Sequence, residues 1–240
     1  MISVAETLGL LESGDVEVLG LLPYSSNYVF LAKVKSGESE TLAVYKPTRG
    51  ERPLWDFPRG TLAAREVAAF LVSRASGWNL VPPTVLRSDA PLGAGSLQLF
   101  IEHDPERHFF VLAEERLADL IAFAAFDVVI NNADRKAGHV IEDEGGRLWA
   151  VDHGLSFNVE PKLRTVIWTF ANEPVDPEVR SRLLCLRGLL ADRGGLATEL
   201  AALLSPAEAR ATLRRVEDFL AAARYPYPDV DRHHLPWPLV

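Results

Sequence analysis

Residues 126–139 read Phe126-Asp127-Val128-Val129-Ile130-Asn131-Asn132-Ala133-Asp134-Arg135-Lys136-Ala137-Gly138-His139. Residues 113–130 carry a helical pattern rich in Ala, Leu and Phe, which stops at the paired asparagines. The loop beyond holds an acid, a base and an imidazole in quick succession. Asp134 is placed to accept or orient the proton of an acceptor hydroxyl, and Lys136 to neutralise charge on a transferred group. His139, five residues past Asp134, is a candidate metal ligand. The same residues would also serve as a polar turn closing a helix. What favours chemistry lies downstream, where the apolar run Leu148-Trp149-Ala150-Val151 leads into Asp152-His153-Gly154. A carboxylate at a strand end, followed by glycine, is well placed to hold magnesium against phosphates.

Upstream, residues 16–22, 28–34 and 41–46 read as three strands with short connections, hence an antiparallel sheet. Lys46 ends the third strand, where a compact cation can reach phosphate oxygens. Thr61 is expected to cap a helix over residues 62–73, on which Glu66 can pair with Lys46. Between them, a loop with Arg49, Arg52 and Arg59 suits either a solvated surface or contact with an anionic group. Strands are expected over 81–87 and 97–102, a hairpin over 140–151, and a short helix over 6–11. Residues 176–224 read as mostly helical. The class is therefore α+β, with a β-rich N-terminal lobe over 1–103 and a mainly helical lobe over 104–240.

The order Lys46, Glu66, Asp134 to His139, Asp152 to Gly154 resembles the protein-kinase-like superfamily. The run from Phe126 to Arg135 is most similar to its phosphatidylinositol 3- and 4-kinase and HipA-like branches. Tyr45-Lys46-Pro47 and Trp55-Asp56-Phe57-Pro58 also resemble an actinobacterial group described as phosphatidylinositol-kinase-like. The resemblance covers residues 16 to about 160. It implies a two-lobed kinase-like fold using ATP with Mg²⁺ or Mn²⁺. It further implies Lys46 on the α- and β-phosphates, Glu66 orienting Lys46, Asp134 as the catalytic aspartate, and Asp152 as the main metal ligand, with His139 as the second. Two departures stand out. Histidine replaces the usual asparagine at 139, and imidazole suits transition metals better than magnesium. No Gly-x-Gly-x-x-Gly joins the first strands, which leaves Ser25, Ser26 and Asn27 to meet phosphates through hydroxyls and N–H groups. At the junction of the lobes, Glu102 and His103 can offer backbone groups to adenine, and Asp127 is placed to hold either the loop backbone or Arg135.

A net charge of −8 argues against nucleic acid as a general partner, since phosphate binding needs concentrated positive charge. A single cysteine, Cys185, excludes an internal disulfide framework and suits a reducing compartment. With no signal-like start and no membrane-length apolar run, the expectation is a cytoplasmic protein without stable membrane insertion. The leading expectation is a kinase acting on a protein hydroxyl or a small molecule. A nucleotide-holding pseudokinase and a nucleotidyl transferase are the alternatives.

Overall fold

The structure is a computed structural model that describes residues 3–23, 28–192, 194–229 and 231–240. Helix α1 (Val4–Ser13) opens on a capping box in which Ser3 and Glu6 exchange hydrogen bonds. Strands β1 (Asp15–Leu21), β2 (Phe30–Ser36) and β3 (Ser39–Pro47) follow, then helix α2 (Leu62–Ala75) and strands β4 (Thr84–Arg87) and β5 (Gly95–Leu99). They form one antiparallel sheet in the order β1-β2-β3-β5-β4. Gly95 lies so close to β3 that a Cβ there would come within 2.4 Å of the Lys46 carbonyl oxygen.

Side chains alternate across a strand, and β3 uses both faces. Ala43 and Tyr45 join Leu10 and Leu11 of α1 in a small apolar core. Lys46 therefore points to the opposite face, toward α2. That helix belongs to the larger core, where Ala68, Phe70 and Val72 pack with Phe109, Phe123, Phe126 and Ile130. Thr61 occupies the cap position of α2, but its side chain does not cap. Instead its hydroxyl donates to the Pro58 carbonyl (2.8 Å), and the Glu51 carboxylate takes the Leu62 and Ala63 N–H groups at 3.1 and 3.2 Å. A residue eleven positions before the helix thus does the work expected of the local threonine.

The expected single helix over 113–130 is broken. Helix α3 (Phe109–Arg116) ends in a 3₁₀ turn (Leu117–Leu120), and α4 (Ile121–Ile130) continues from it. The backbone turns at Arg116 (φ −142°, ψ 41°). Its guanidinium there reaches Glu142 (2.5 Å), the Gly146 carbonyl (2.7 Å) and Asp119 (2.8 Å). An apolar period cannot show such a break, because the repeat resumes in phase beyond it. The short hairpin β6 (Val140–Glu142) and β7 (Leu148–Ala150) is antiparallel. Helices α5 (Pro177–Ala191), α6 (Gly195–Ala201) and α7 (Pro206–Ala222) complete the helical half. Cys185 lies exposed on α5 rather than packed. No helix among the described residues is long and apolar enough to cross a membrane.

Arg65 of α2 is 1% exposed and ties the sheet's helix to the helical half. It donates to the Ser156 carbonyl (2.5 Å) and to Glu208 of α7, and stacks on Phe57. Removing one partner of a buried ion pair strands the other charge without water. Glu208→Ala is accordingly expected to lower the unfolding free energy by about 3 kcal/mol, read by urea denaturation. A loss below ~1 kcal/mol would show that Arg65 finds other partners.

Candidate active site

Helix α4 is apolar except for Asp127, which is fully buried. The helix ends at Asn131 in the left-handed conformation (φ 52°), one of the few non-glycine residues that tolerates it. The Asn131 side chain donates to the Asn158 and Glu160 carbonyls and accepts the Lys162 N–H, holding residues 158–162 against the loop. Asn132 donates to Asp127 (2.9 Å) and accepts the N–H of Asp134 (3.0 Å). The two asparagines thus turn the chain and present Asp134.

Arg135 points inward and is completely buried, and of the two roles open to Asp127 the structure shows it holding this side chain. Its Nε and Nη2 donate to Asp127 at 2.9–3.1 Å. Nη1 donates to the carbonyls of His139 and Val151, both at 3.0 Å, and Nη2 also meets His153 Nε2 at 2.8 Å. Thr165 completes the Asp127 shell at 3.1 Å. One guanidinium therefore joins α4, the loop and the end of β7.

Lys46 Nζ sits 2.5 Å from Glu66 and 2.7 Å from Asp152. Glu66 is itself held by the His153 and Gly154 N–H groups at 3.0 and 3.1 Å. Burial works against the Lys46 charge, but Asp152 and Glu66 outweigh it and raise its pKa. Burial likewise works against Asp152, and Lys46, by charge and hydrogen bond, more than offsets it, so its carboxyl lies well below the usual range. Asp152 adopts φ 59°, left-handed backbone that costs a non-glycine residue about 1 kcal/mol or more. Its carboxylate remains half-exposed.

Asp134, with Lys136 at 3.4 Å, lines the same cleft of about 560 Å³ as Lys46, Glu66, Asp152 and Gly154. Burial, opposed by Lys136 and reinforced by Asp152, pushes the Asp134 carboxyl up to about 6. His139 Nε2 lies 3.4 Å from Asp152, and its Nδ1 faces the Lys136 N–H. Burial pulls the imidazole down to about 4, leaving it neutral at pH 7.

Lys46, Glu66, Asp134, Lys136, His139 and Asp152 are thus brought together. Glu102 and His103 are not, for they line a separate depression with Arg107 and Glu142. Ser25, Ser26 and Asn27 lie outside the described residues. Sequence reading passed over Asn131, Asn132, His153, Thr165 and Arg65. No local pattern marks these residues, because each acts through a hydrogen bond to a segment distant in sequence or through a turn that many residues could make.

No family model matches the chain. Among solved structures, it superposes on the hydra Fam20 with sugar at a TM-score of 0.58 and 18% identity, covering 92% of this chain and 88% of that one. On the Golgi casein kinase with Mn/ADP bound, the TM-score is 0.55 at 15% identity, covering 95% and 80%. The Helicobacter pylori proinflammatory kinase CtkA gives 0.52 at 9% identity, covering 90% and 94%. At such identities the likeness speaks for the fold, which is protein-kinase-like, as the motif order implies. In sequence, the chain is 27% identical over 213 residues to phosphatidylinositol 4-kinase gamma 4 of Oryza sativa subsp. japonica. That match takes in 73% of this chain and 37% of the rice protein. It is 39% identical over 265 aligned positions to Protein Rv2133c of Mycobacterium tuberculosis (strain ATCC 25618 / H37Rv), spanning 95% of this chain and 94% of that protein. With that identity along nearly the whole of both sequences, the chain belongs to the family of Protein Rv2133c, and it carries a protein-kinase-like fold.

Proposed function

We propose that the chain is an ATP-dependent phosphotransferase that moves the γ-phosphate to an acceptor hydroxyl, its two lobes (1–103 and 104–240) holding the nucleotide between them. One observation carries the reading: Lys46 is clamped between Glu66 and Asp152 in the cleft that Asp134 also lines. Four elements of the fold, β3, α2, the loop after α4 and the exit of β7, converge there on one cation and three carboxylates.

In this reading Lys46 leaves Asp152 for the α- and β-phosphates, while Glu66, held by two backbone N–H groups, keeps its ammonium aimed. Asp134 orients the acceptor hydroxyl and takes its proton as that oxygen bonds to the γ-phosphorus. The bond from the γ-phosphorus to the bridging oxygen breaks, and ADP departs. Lys136, beside Asp134, offsets charge on the transferred group.

The donor chemistry fits a hard divalent cation. Asp152 offers half-exposed carboxylate oxygens, and neutral His139 adds no opposing charge. Asp152 would hold the cation, with His139 orienting that carboxylate or joining it as a second ligand. A bound cation would supply charge neutralisation on the phosphates. Among the described residues, no three His, Cys, Asp or Glu form a closed cage, so phosphate oxygens would complete the shell. The reading rests on the cleft residues and not on Glu102 or His103.

The test is transfer from γ-labelled against α-labelled ATP with Mg²⁺ or Mn²⁺, scored as autophosphorylation and hydrolysis. Label transferred from the α position would point to nucleotidyl transfer, and nucleotide binding without any transfer to a regulatory module. Asp134→Asn is expected to lower the rate by about 10²–10⁴-fold while leaving ATP affinity within a few fold. Lys46→Met should weaken ATP binding at least about tenfold, measured by calorimetry. Unchanged affinity would remove Lys46 from the phosphates.

The pH dependence follows from Asp134. A base with a pKa of about 6 is lost on protonation, so kcat/KM should fall as pH drops below about 6. For stability the sign is opposite. A carboxyl raised in the folded state favours folding when protonated, and that gain disappears as pH rises through about 6. Asp134→Asn should therefore be at least as stable as wild type at pH 7.5 by thermal melting. A clear loss of stability would show that the ionised carboxylate holds the loop.

A further inference from the structure

His153 stands between the two halves of the site, and its hydrogen bonding determines where its ring proton lies. The imidazole is fully buried, edge-on to Phe126 at 5.5 Å. Its Nε2 lies 2.8 Å from Arg135 Nη2. A guanidinium nitrogen can only donate, so Nε2 must accept. The ring is then neutral with its proton on Nδ1. That Nδ1–H faces Glu66 Oε2 at 4.0 Å and has no hydrogen-bond partner among the described residues.

We propose that His153 is a positioning residue that couples the catalytic loop to the nucleotide-binding pair. It accepts from Arg135 at one nitrogen and presents an N–H to Glu66 at the other. The chain of contacts then runs Asp127, Arg135, His153, Glu66, Lys46, its His153–Glu66 link made by the His153 backbone N–H at 3.0 Å with the ring N–H facing the same oxygen at 4.0 Å. Among the described residues Arg135 has no other acceptor for that Nη2 proton, since its remaining donors are taken by Asp127, His139 and Val151. At the other end, the Nδ1–H dipole lends positive potential to Glu66, whose Oε2 already takes the His153 backbone N–H. When Lys46 turns from Asp152 to phosphates, the His153 backbone N–H and the facing Nδ1–H remain to steady the Glu66 carboxylate that aims it. This coupling rests on the phosphotransferase reading for its purpose but not for its geometry.

Two measurements test it. Nitrogen-15 NMR of the histidine rings, assigned by comparison with His153→Gln, reports the tautomer whatever the protein's activity. A neutral ring protonated on Nδ1 is expected. A proton on Nε2, or an imidazolium at pH 7, overturns the proposal. The second compares His153→Phe, which keeps an aromatic ring but loses both polar ends, with His153→Gln, whose amide both accepts and donates. The Phe variant should lose about tenfold or more in kcat for γ-phosphate transfer, with the KM for ATP changed less than about threefold, and the Gln variant should regain most of it. A Phe variant as active as wild type, or a folded Gln variant as impaired as Phe, overturns the proposal. If wild type transfers no phosphoryl group, the phosphotransferase reading fails on its own. The coupling is then decided by the tautomer.

Discussion

A fully buried arginine beside a fully buried aspartate is the constraint on which the site depends. Asp127 and Arg135 are both without solvent exposure, and each would be costly to leave unpaired there. The arrangement holds because every guanidinium direction is used: two toward Asp127, one toward His153, and two toward the carbonyls of His139 and Val151. Those carbonyls belong to the loop after α4 and to the exit of β7. The shared arginine therefore sets the distance between Asp134 and Asp152, which lie next to its own backbone and to its acceptor.

Around that fixed centre the charges that face the cleft are less completely satisfied. Asp134 is buried enough for its carboxyl to titrate near 6, and Asp152 takes left-handed backbone without being glycine. Both features cost stability, and both recur where groups must change partners. Lys46 illustrates the exchange, since it now holds two carboxylates and has phosphates as the natural competitor for one of them. The support beneath is rigid, with Arg65 binding α2 to α7 and Glu66 held by backbone N–H groups. Rigid supports under frustrated side chains are what a site for developing charge requires.

The likeness to Fam20 and Golgi casein kinase structures extends over most of the chain while few residues are shared. Conservation of backbone path with divergence of side chains is consistent with a scaffold whose chemistry is set locally. Here the local settings are histidine at 139 and at 153. His153 is buried and His139 half-buried, and both are neutral, each with one nitrogen turned toward an acidic side chain of the site, Asp152 for His139 and Glu66 for His153.

From the sequence alone, the element types, the antiparallel sheet and the cluster Lys46, Glu66, Asp134, Asp152 could be read. Strand period, turn residues and the order of charged positions are local properties, visible within a few residues of each other. That Asp127 holds either the loop backbone or Arg135 was also legible, because a lone acid in the apolar helix ending at Ile130 demands a partner. Tertiary structure alone decided the rest. The cap of α2 comes from Glu51 and not Thr61, the helix over 113–130 breaks where Arg116 reaches the hairpin, and Glu102 and His103 fall outside the cleft. His153 bridges two segments whose approach no spacing encodes. Each depends on which distant group arrives within hydrogen-bond reach once the core has closed, and burial then makes that partner obligatory.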